Sequence, residues 1–182
     1  MKMISNFVDG KLTNVEPSGF IPLFKPTTGE EYAQVPITTP LEFEEIIKKM
    51  KFAQKSWAET AITKRSNILF KFKSLIEKDF DNIAKIISEE HGKVFSDAKG
   101  SLQRGLEVVD FACGIPHLLK GNHSINVGSN VDSYDIRQSL GICAGITPFN
   151  FPAMVPMWMF PLSIACGNAF MLKPSEKVPQ CS

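Results

Sequence analysis

The sequence has almost no net charge: 20 Lys and Arg oppose 19 Asp and Glu, a formal +1 over 182 residues. That balance excludes the one-signed field with which nucleic-acid binders gather a polyanion, and leaves small molecules as the expected partners. Cysteine is scarce, with 4 in all. There is no Cys-x-x-Cys pair and no histidine at a zinc-ligand spacing, so neither a disulfide framework nor a metal site is expected. Cys113, Cys143 and Cys166 sit among small apolar neighbours and read as reduced core residues, whereas Cys181, in the tail, reads as exposed and unactivated. The first residues reach Asp9 too early to hold a signal-peptide apolar core, which with the reduced thiols points to the cytoplasm.

One further absence points the other way. No charged residue stands between Gln138 and Leu172, a run longer than the roughly 20 residues that cross a bilayer. Yet Pro148, Pro152, Pro156 and Pro161, with Asn150 and Asn168, would leave backbone and amide groups unsatisfied in lipid. A buried strand-helix-strand unit is the better reading. Hydrophobic content of 43% over this length supports one real core.

Residues 7 to 37 read as short antiparallel strands broken by the turns Val8-Asp9-Gly10-Lys11 and Lys25-Pro26-Thr27-Thr28-Gly29-Glu30. Thr39-Pro40-Leu41-Glu42 then has the order of a helix start: a capping hydroxyl, proline at the first helical position, a carboxylate three residues after the cap. Phe43, Ile46, Ile47, Met50, Ala53 and Trp57 form one apolar stripe opposite a solvated face of Lys48, Lys49, Lys51 and Lys55. Amphipathic helices are expected from about Thr63 (Leu69, Phe72, Leu75, Ile76) and from about Asp81 (Ile83, Ile86, Ile87), the second ended by Gly92. A fourth, from about Ser96, carries Leu102, Leu106, Val109 and Cys113 at core spacing. His91, at a helix end, reads as a terminal cap or surface group.

A boundary is expected near residue 120, where Gly121-Asn122-His123-Ser124 marks a loop. Ser133 to Ser139 alternates without a broad apolar face, as an exposed pairing strand does. Leu140 to Thr147 is a continuous apolar run, suited to a strand covered on both faces. Pro148-Phe149-Asn150-Phe151-Pro152 cannot continue that ladder and makes a stiff turn. Ala153 to Cys166 suits a helix closed by Gly167, with a kink expected at Pro161, and Asn168 to Leu172 a second buried strand. Such a βαβ order puts both polar turns at the carboxyl edge of parallel strands, where α/β folds bind nucleotides. Lys173 and Glu176, a donor and an acceptor, suit the vicinal hydroxyls of an adenosine ribose, and Glu176 would repel a 2′-phosphate.

Ile146-Thr147-Pro148-Phe149-Asn150-Phe151-Pro152, with Trp158, Gly167-Asn168 and Lys173-Pro174-Ser175-Glu176, resembles the aldehyde dehydrogenase superfamily. Phe149 before the asparagine, and the long form through Pro161, look like its methylmalonate-semialdehyde branch; most other branches carry tryptophan at that position. Upstream, Pro26-Thr27-Thr28-Gly29-Glu30, Arg65, Glu90-His91-Gly92-Lys93 and Gly100 through Arg104-Gly105 follow the family order. The resemblance implies an α/β fold with an incomplete Rossmann-like NAD-binding domain: residues 1–120 its amino-terminal part, 121–138 a β-strand oligomerisation arm, and 139–182 the first βαβ unit. It implies that Asn150 donates to the oxyanion of a thiohemiacetal and that Arg104 handles the semialdehyde. It assigns Thr147 and Phe149 to the cofactor-lining backbone, and Lys173, Glu176 and Lys177 to the adenosine end of NAD. Lys177 departs from the arginine usual in this branch and loses its planar fork.

The implied chemistry is attack by a cysteine thiolate on a small aldehyde, hydride transfer to NAD and thioester transfer to coenzyme A, in a homodimer or homotetramer. No residue here matches that cysteine, and the phosphate-cradling glycine loop of the family lies beyond Ser182. The chain alone is therefore expected to be inert and prone to associate. Bland readings stand beside these. By itself Asn150 is a structural turn residue, Lys173 and Glu176 are a solvated helix start, and Arg104 is a surface ion-pair member. Two other functions also fit the sequence: a truncated, non-catalytic module pairing through 121–138 with a full-length relative, and a stand-alone nucleotide-binding domain.

Overall fold

The computed structural model describes residues 2–13 and 17–182. Short strands come first. β1 (Lys2–Met3), β4 (Phe20–Phe24) and β5 (Glu31–Pro36) form a sheet in the order β1-β5-β4, while β2 (Phe7–Val8) and β3 (Lys11–Leu12) pair as a hairpin. Asp9 and Gly10, both at positive φ, make the expected tight turn of that hairpin. The β4–β5 pair is antiparallel as expected, but β1 joins β5 in parallel, a pairing between distant segments that no local turn signal announces.

Helix α1 (Pro40–Glu59) starts where the sequence places it, with Thr39 Oγ1 accepting from the Glu42 amide at 3.1 Å. The Glu42 carboxylate does not close a capping box. It turns away to accept from Asn6 Nδ2 at 3.2 Å and Thr13 Oγ1 at 3.3 Å, and is the one buried residue of the helix. The predicted apolar stripe is only half-buried at Ile46, Ile47, Met50 and Trp57, and Phe43 and Ala53 are exposed, because α1 lies against a sheet two strands wide. The lysine face is exposed as expected.

Helices α2 (Ile62–Lys78), α3 (Phe80–His91), α4 (Phe95–Cys113) and the short α5 (Ile115–Leu118) follow. α4 is central: Leu102, Leu106, Val109 and Cys113 are all buried, as their spacing predicts, and join Ile76, Ile87 and Met157 in the core or its neighbouring cluster. Burying a side chain such as Leu102 contributes roughly 2 kcal/mol. Leu75 and Ile86, assigned to the core by period, are exposed at the margins of their helices. α3 ends on Gly92 at φ 83°, a left-handed residue whose added Cβ would meet Pro26 Cγ at 2.9 Å.

Beyond α5, β6 (His123–Gly128) and β7 (Val131–Tyr134) form an antiparallel hairpin exposed at every residue. Then comes the βαβ unit: β8 (Ile142–Ile146), α6 (Met154–Ala165) and β9 (Ala169–Lys173), with β8 and β9 parallel in register from Ile142↔Ala169 to Ile146↔Lys173. α6 continues through Pro161, which is fully buried, and packs on α4 at Gly105, where a Cβ would meet Met157 Sδ at 2.7 Å. β8 is not covered on both faces as its sequence suggests; Ile146 is 79% exposed and neighbouring Leu140 89%, since the sheet is two strands wide and, among the described residues, only α1 and α6 pack on it.

The last turn of α6 leaves carbonyls that need donors. Asn168 Nδ2 reaches Ser163 O at 3.0 Å, Trp57 Nε1 reaches Ile164 O at 2.9 Å, and Arg65 Nε reaches Ala165 O at 3.0 Å. Asn168 Oδ1 also accepts from the Gly141 amide at 2.9 Å, tying the helix end to the start of β8. Among the described residues no helix is long and apolar enough to cross a membrane.

Candidate functional site

Because β8 and β9 are parallel, the segments after Ile146 and Lys173 emerge side by side. Thr147 is buried and its amide donates to Lys173 O at 3.2 Å, closing the ladder before Pro148 ends it. The turn from Pro148 to Pro152 then faces two ways. Phe149 looks towards the β9 turn, where the Lys177 ammonium stands 4.8 Å from its ring centroid. Asn150 and Phe151 look towards α3 and α4.

At the β9 turn, Lys173 Nζ and a Glu176 carboxylate oxygen are 3.0 Å apart, both partly solvated. The Glu176 carboxyl lies below its ordinary range, chiefly because its own backbone amide donates to it and then because of Lys173. It therefore stands as an ionised acceptor beside a cationic donor. Ser175 is buried beneath them and its Oγ accepts from the Lys177 amide at 3.2 Å.

On the other side lies a cleft of about 600 Å³ between α3, α4 and the turn. Asn150 and Phe151 form one wall; His91 and Lys93 stand at the end of α3, and Ser96, Asp97, Gly100 and Arg104 come from the start of α4. Asp97, Gly100 and Arg104 are three and four positions apart and so share a helical face. The Lys93 ammonium donates to Asn150 O at 2.9 Å and lies 4.4 Å from the Phe151 centroid; the Arg104 guanidinium lies 5.4 Å from the same ring. None of the side-chain hydrogen bonds among the described residues uses the Asn150 amide, which is left free to donate into the cleft.

Burial lowers the Lys93 pKa from its ordinary value; Asp97 opposes that and Arg104 adds to it. His91 is lowered as well, by burial first and then by Lys93, and its buried Nδ1 has no partner. It is thus more than the surface cap its position suggests. Glu90, one residue earlier, is 4% exposed and burial pushes its carboxyl up to about 7, against the pull of two amides, Gln180 N at 2.6 Å and Cys181 N at 3.2 Å. Cys181 is accordingly not exposed. It packs against the core, and burial raises its thiol to about 12. No cysteine lines the cleft, and no group of three or more acidic, histidine or cysteine residues able to hold a metal occurs among the described residues.

The structure thus brings Asn150 together with Arg104, and Thr147 and Phe149 together with Lys173, Glu176 and Lys177, in two groups joined by the turn. Lys93 and Gly100 stand in stretches that follow the family order, but neither they nor Asp97 are given a site role by the sequence. The steps of three and four from Asp97 through Gly100 to Arg104 put those three on one helical face, but nothing local says that this face, or Lys93 in the connection before it, meets the turn. Chemically, the cleft offers a free amide donor and two cations around an aromatic ring, fitting a small anionic or polarised oxygen-bearing molecule.

The description "Aldehyde dehydrogenase family" matches residues 14–182. Among curated relatives, malonate-semialdehyde dehydrogenase of Pseudomonas aeruginosa is 50% identical over 157 residues, covering 86% of this chain and 32% of its own length. The acylating mitochondrial methylmalonate-semialdehyde dehydrogenase of Arabidopsis thaliana is 46% identical over 179 residues, covering 98% and 30%. A crystal structure from Sinorhizobium meliloti complexed with NAD superposes with a TM-score of 0.96 at 44% identity, covering all of this chain and 37% of that one. The chain spans about a third of the length of the curated relatives it matches. With residues 14–182 matched, an α/β fold superposable on a solved relative and the proline-bounded asparagine turn in place, this chain belongs to the aldehyde dehydrogenase family.

Proposed function

We propose that these residues serve an NAD-dependent, acylating dehydrogenase that oxidises malonate semialdehyde or its methyl homologue to an acyl-CoA. The reaction passes through a thioester on a cysteine that is not among them. The observation that carries the reading is the meeting of Asn150 and Arg104, from distant parts of the chain, on one cleft. A semialdehyde of this class has a carboxylate at one end and a reacting carbonyl at the other. Arg104 is a fixed cation for the first and the Asn150 amide a donor for the oxyanion that forms at the second. The names of the two relatives support this substrate class.

The β9 turn fits the adenosine end of NAD. Glu176 would accept from a ribose hydroxyl, Lys173 would donate to one, Thr147 and Phe149 would line the approach, and Lys177 would sit at the rim. NAD, when bound, supplies the hydride acceptor. Glu176 disfavours a 2′-phosphate by charge, so NAD is preferred over NADP. The chain's division at residues 120 and 138 belongs to this reading too: the all-exposed β6–β7 hairpin suits an arm that pairs with a second subunit, in a homodimer or homotetramer. The four cysteines, all free, favour a reducing compartment such as the cytoplasm.

Assays of the complete protein with malonate semialdehyde, NAD and coenzyme A decide the matter. NADH should form with acyl-CoA, and Arg104→Met should raise KM for the semialdehyde while leaving propanal nearly unaffected. Turnover confined to simple fatty aldehydes would overturn the substrate assignment. A second reading rests on the same hairpin: a non-catalytic module that pairs with a full-length relative. It predicts mixed oligomers on co-expression with a relative and no turnover from the protein by itself.

A further inference from the structure

We infer that Lys93 is a positioning residue for Asn150: its ammonium, held by the Asn150 carbonyl and the Phe151 ring, fixes the peptide that carries the Asn150 amide at the cleft. The inference rests on the proposed role of Asn150 and extends it to a residue with no assigned part.

The turn needs such an anchor. Pro148 and Pro152 stiffen its ends, but the residues between them lie outside both the β8–β9 ladder and helix α6. The partner of the Asn150 carbonyl among the described residues is Lys93 Nζ, at 2.9 Å. Rotation of that carbonyl turns the whole peptide plane and shifts the side chain that precedes it, so holding the oxygen holds the direction of the amide. A charge-assisted bond from a partly buried ammonium is stronger than a neutral one, and the Phe151 ring at 4.4 Å adds a second attraction on the next residue.

Lys93 is itself held from behind. Its own carbonyl accepts from Ser88 Oγ at 2.7 Å, and the Gly92 amide donates to Ser88 O at 2.9 Å, so the end of α3 fixes the lysine backbone. Force on the asparagine is thereby carried to the helical core and not to solvent. Arg104 reaches the same aromatic ring from α4, so Phe151 links the anchor to the cation proposed to take the substrate carboxylate. A competing role is direct binding of that carboxylate, since the Lys93 ammonium lines the cleft together with Arg104.

The two roles separate in the kinetics of the complete enzyme. As a positioning residue, Lys93→Met lowers kcat by roughly 10- to 100-fold, the scale on which a misplacement of about 1 Å costs rate. The loss is equal for malonate semialdehyde and for uncharged propanal, KM changes little, and Lys93→Arg recovers most of the rate. Combined with Asn150→Ala it adds almost nothing, because the group it positions is gone. A rise in KM for the semialdehyde alone, or full additivity with Asn150→Ala, overturns the inference. Should Lys93→Met fail to fold, Lys93→Gln and Lys93→Arg are compared, and equal kcat in the two overturns it as well. A crystal structure of the variant gives a readout independent of turnover: the Asn150–Phe151 peptide should be rotated or in several conformations, and an unmoved peptide refutes the role. If the wild-type enzyme turns over neither aldehyde, the proposed function fails, and the peptide's position still decides for or against Lys93.

Discussion

Two side chains carry opposite lessons. Asn150 is visible in the sequence because prolines on either side make its turn unmistakable, and its free amide beside the cleft makes a direct test possible. Replacing it by alanine in the complete enzyme should lower kcat roughly 100- to 1,000-fold with little change in KM, as expected for a donor used mainly in the transition state. Glu90 stands in a stretch that follows the family order, but nothing in its Glu-Glu-His context says that it is buried while its neighbour Glu89 is exposed. Its burial comes from the segment around Gln180 and Cys181 folding over it. With a carboxyl raised from 4.5 to about 7, the folded state holds a proton that the unfolded chain releases. Its contribution is therefore fully present below about pH 4.5 and is lost as pH rises through 7. Denaturant midpoints of the wild type should fall over that window, and those of Glu90→Gln should fall less; parallel curves would show that the group is not the cause.

At the scale of elements, legibility followed range. Helix starts, the α4 core stripe, the Asp9-Gly10 hairpin turn and the βαβ order all rest on signals within a few residues, and all are found. The parallel β1–β5 pair, the diversion of Glu42 to Asn6 and Thr13, the burial of Cys181 and the thin cover over α1 and β8 depend on which segments meet, which no local pattern carries. Arg65 shows the same divide. It is in family order in the sequence, yet its work is structural: buried at 7% exposure, it satisfies Ala165 O at the end of α6, Ala58 O in the last turn of α1 and Thr60 O in the α1–α2 connection. A cation there also complements the helix dipole. Arg65→Met should cost about 2 kcal/mol or more, since several buried carbonyls lose a charged donor at once. Thermal unfolding against wild type measures it, and a change in Tm within error would mean that water replaces the guanidinium.

For the whole molecule, the decisive quantity is surface. The chain exposes 11446 Å², whereas a compact monomer of 20.2 kDa is expected to expose roughly 8,800 Å². The excess is not spread over loops alone. Leu140 is 89% exposed and Ile146 79%, on or beside the strand that a wider sheet would cover, Phe52 is 84% exposed on the lysine face of α1, and the β6–β7 hairpin adds an open pair of edges. Parallel sheets are stable when both faces are covered, and unpaired strands pair with whatever edge is available. A polypeptide of these 182 residues, produced alone, should therefore elute as oligomers whose size grows with concentration, and bind a dye for exposed apolar surface. It should also show no heat with NAD by calorimetry and no turnover. The cleft is lined by no cysteine, and the β9 turn presents only groups suited to one end of the cofactor. A monomer that binds NAD with measurable affinity would favour the stand-alone nucleotide-binding domain instead. It would mean that the carboxyl edge of two strands suffices for a job here assigned to a larger sheet.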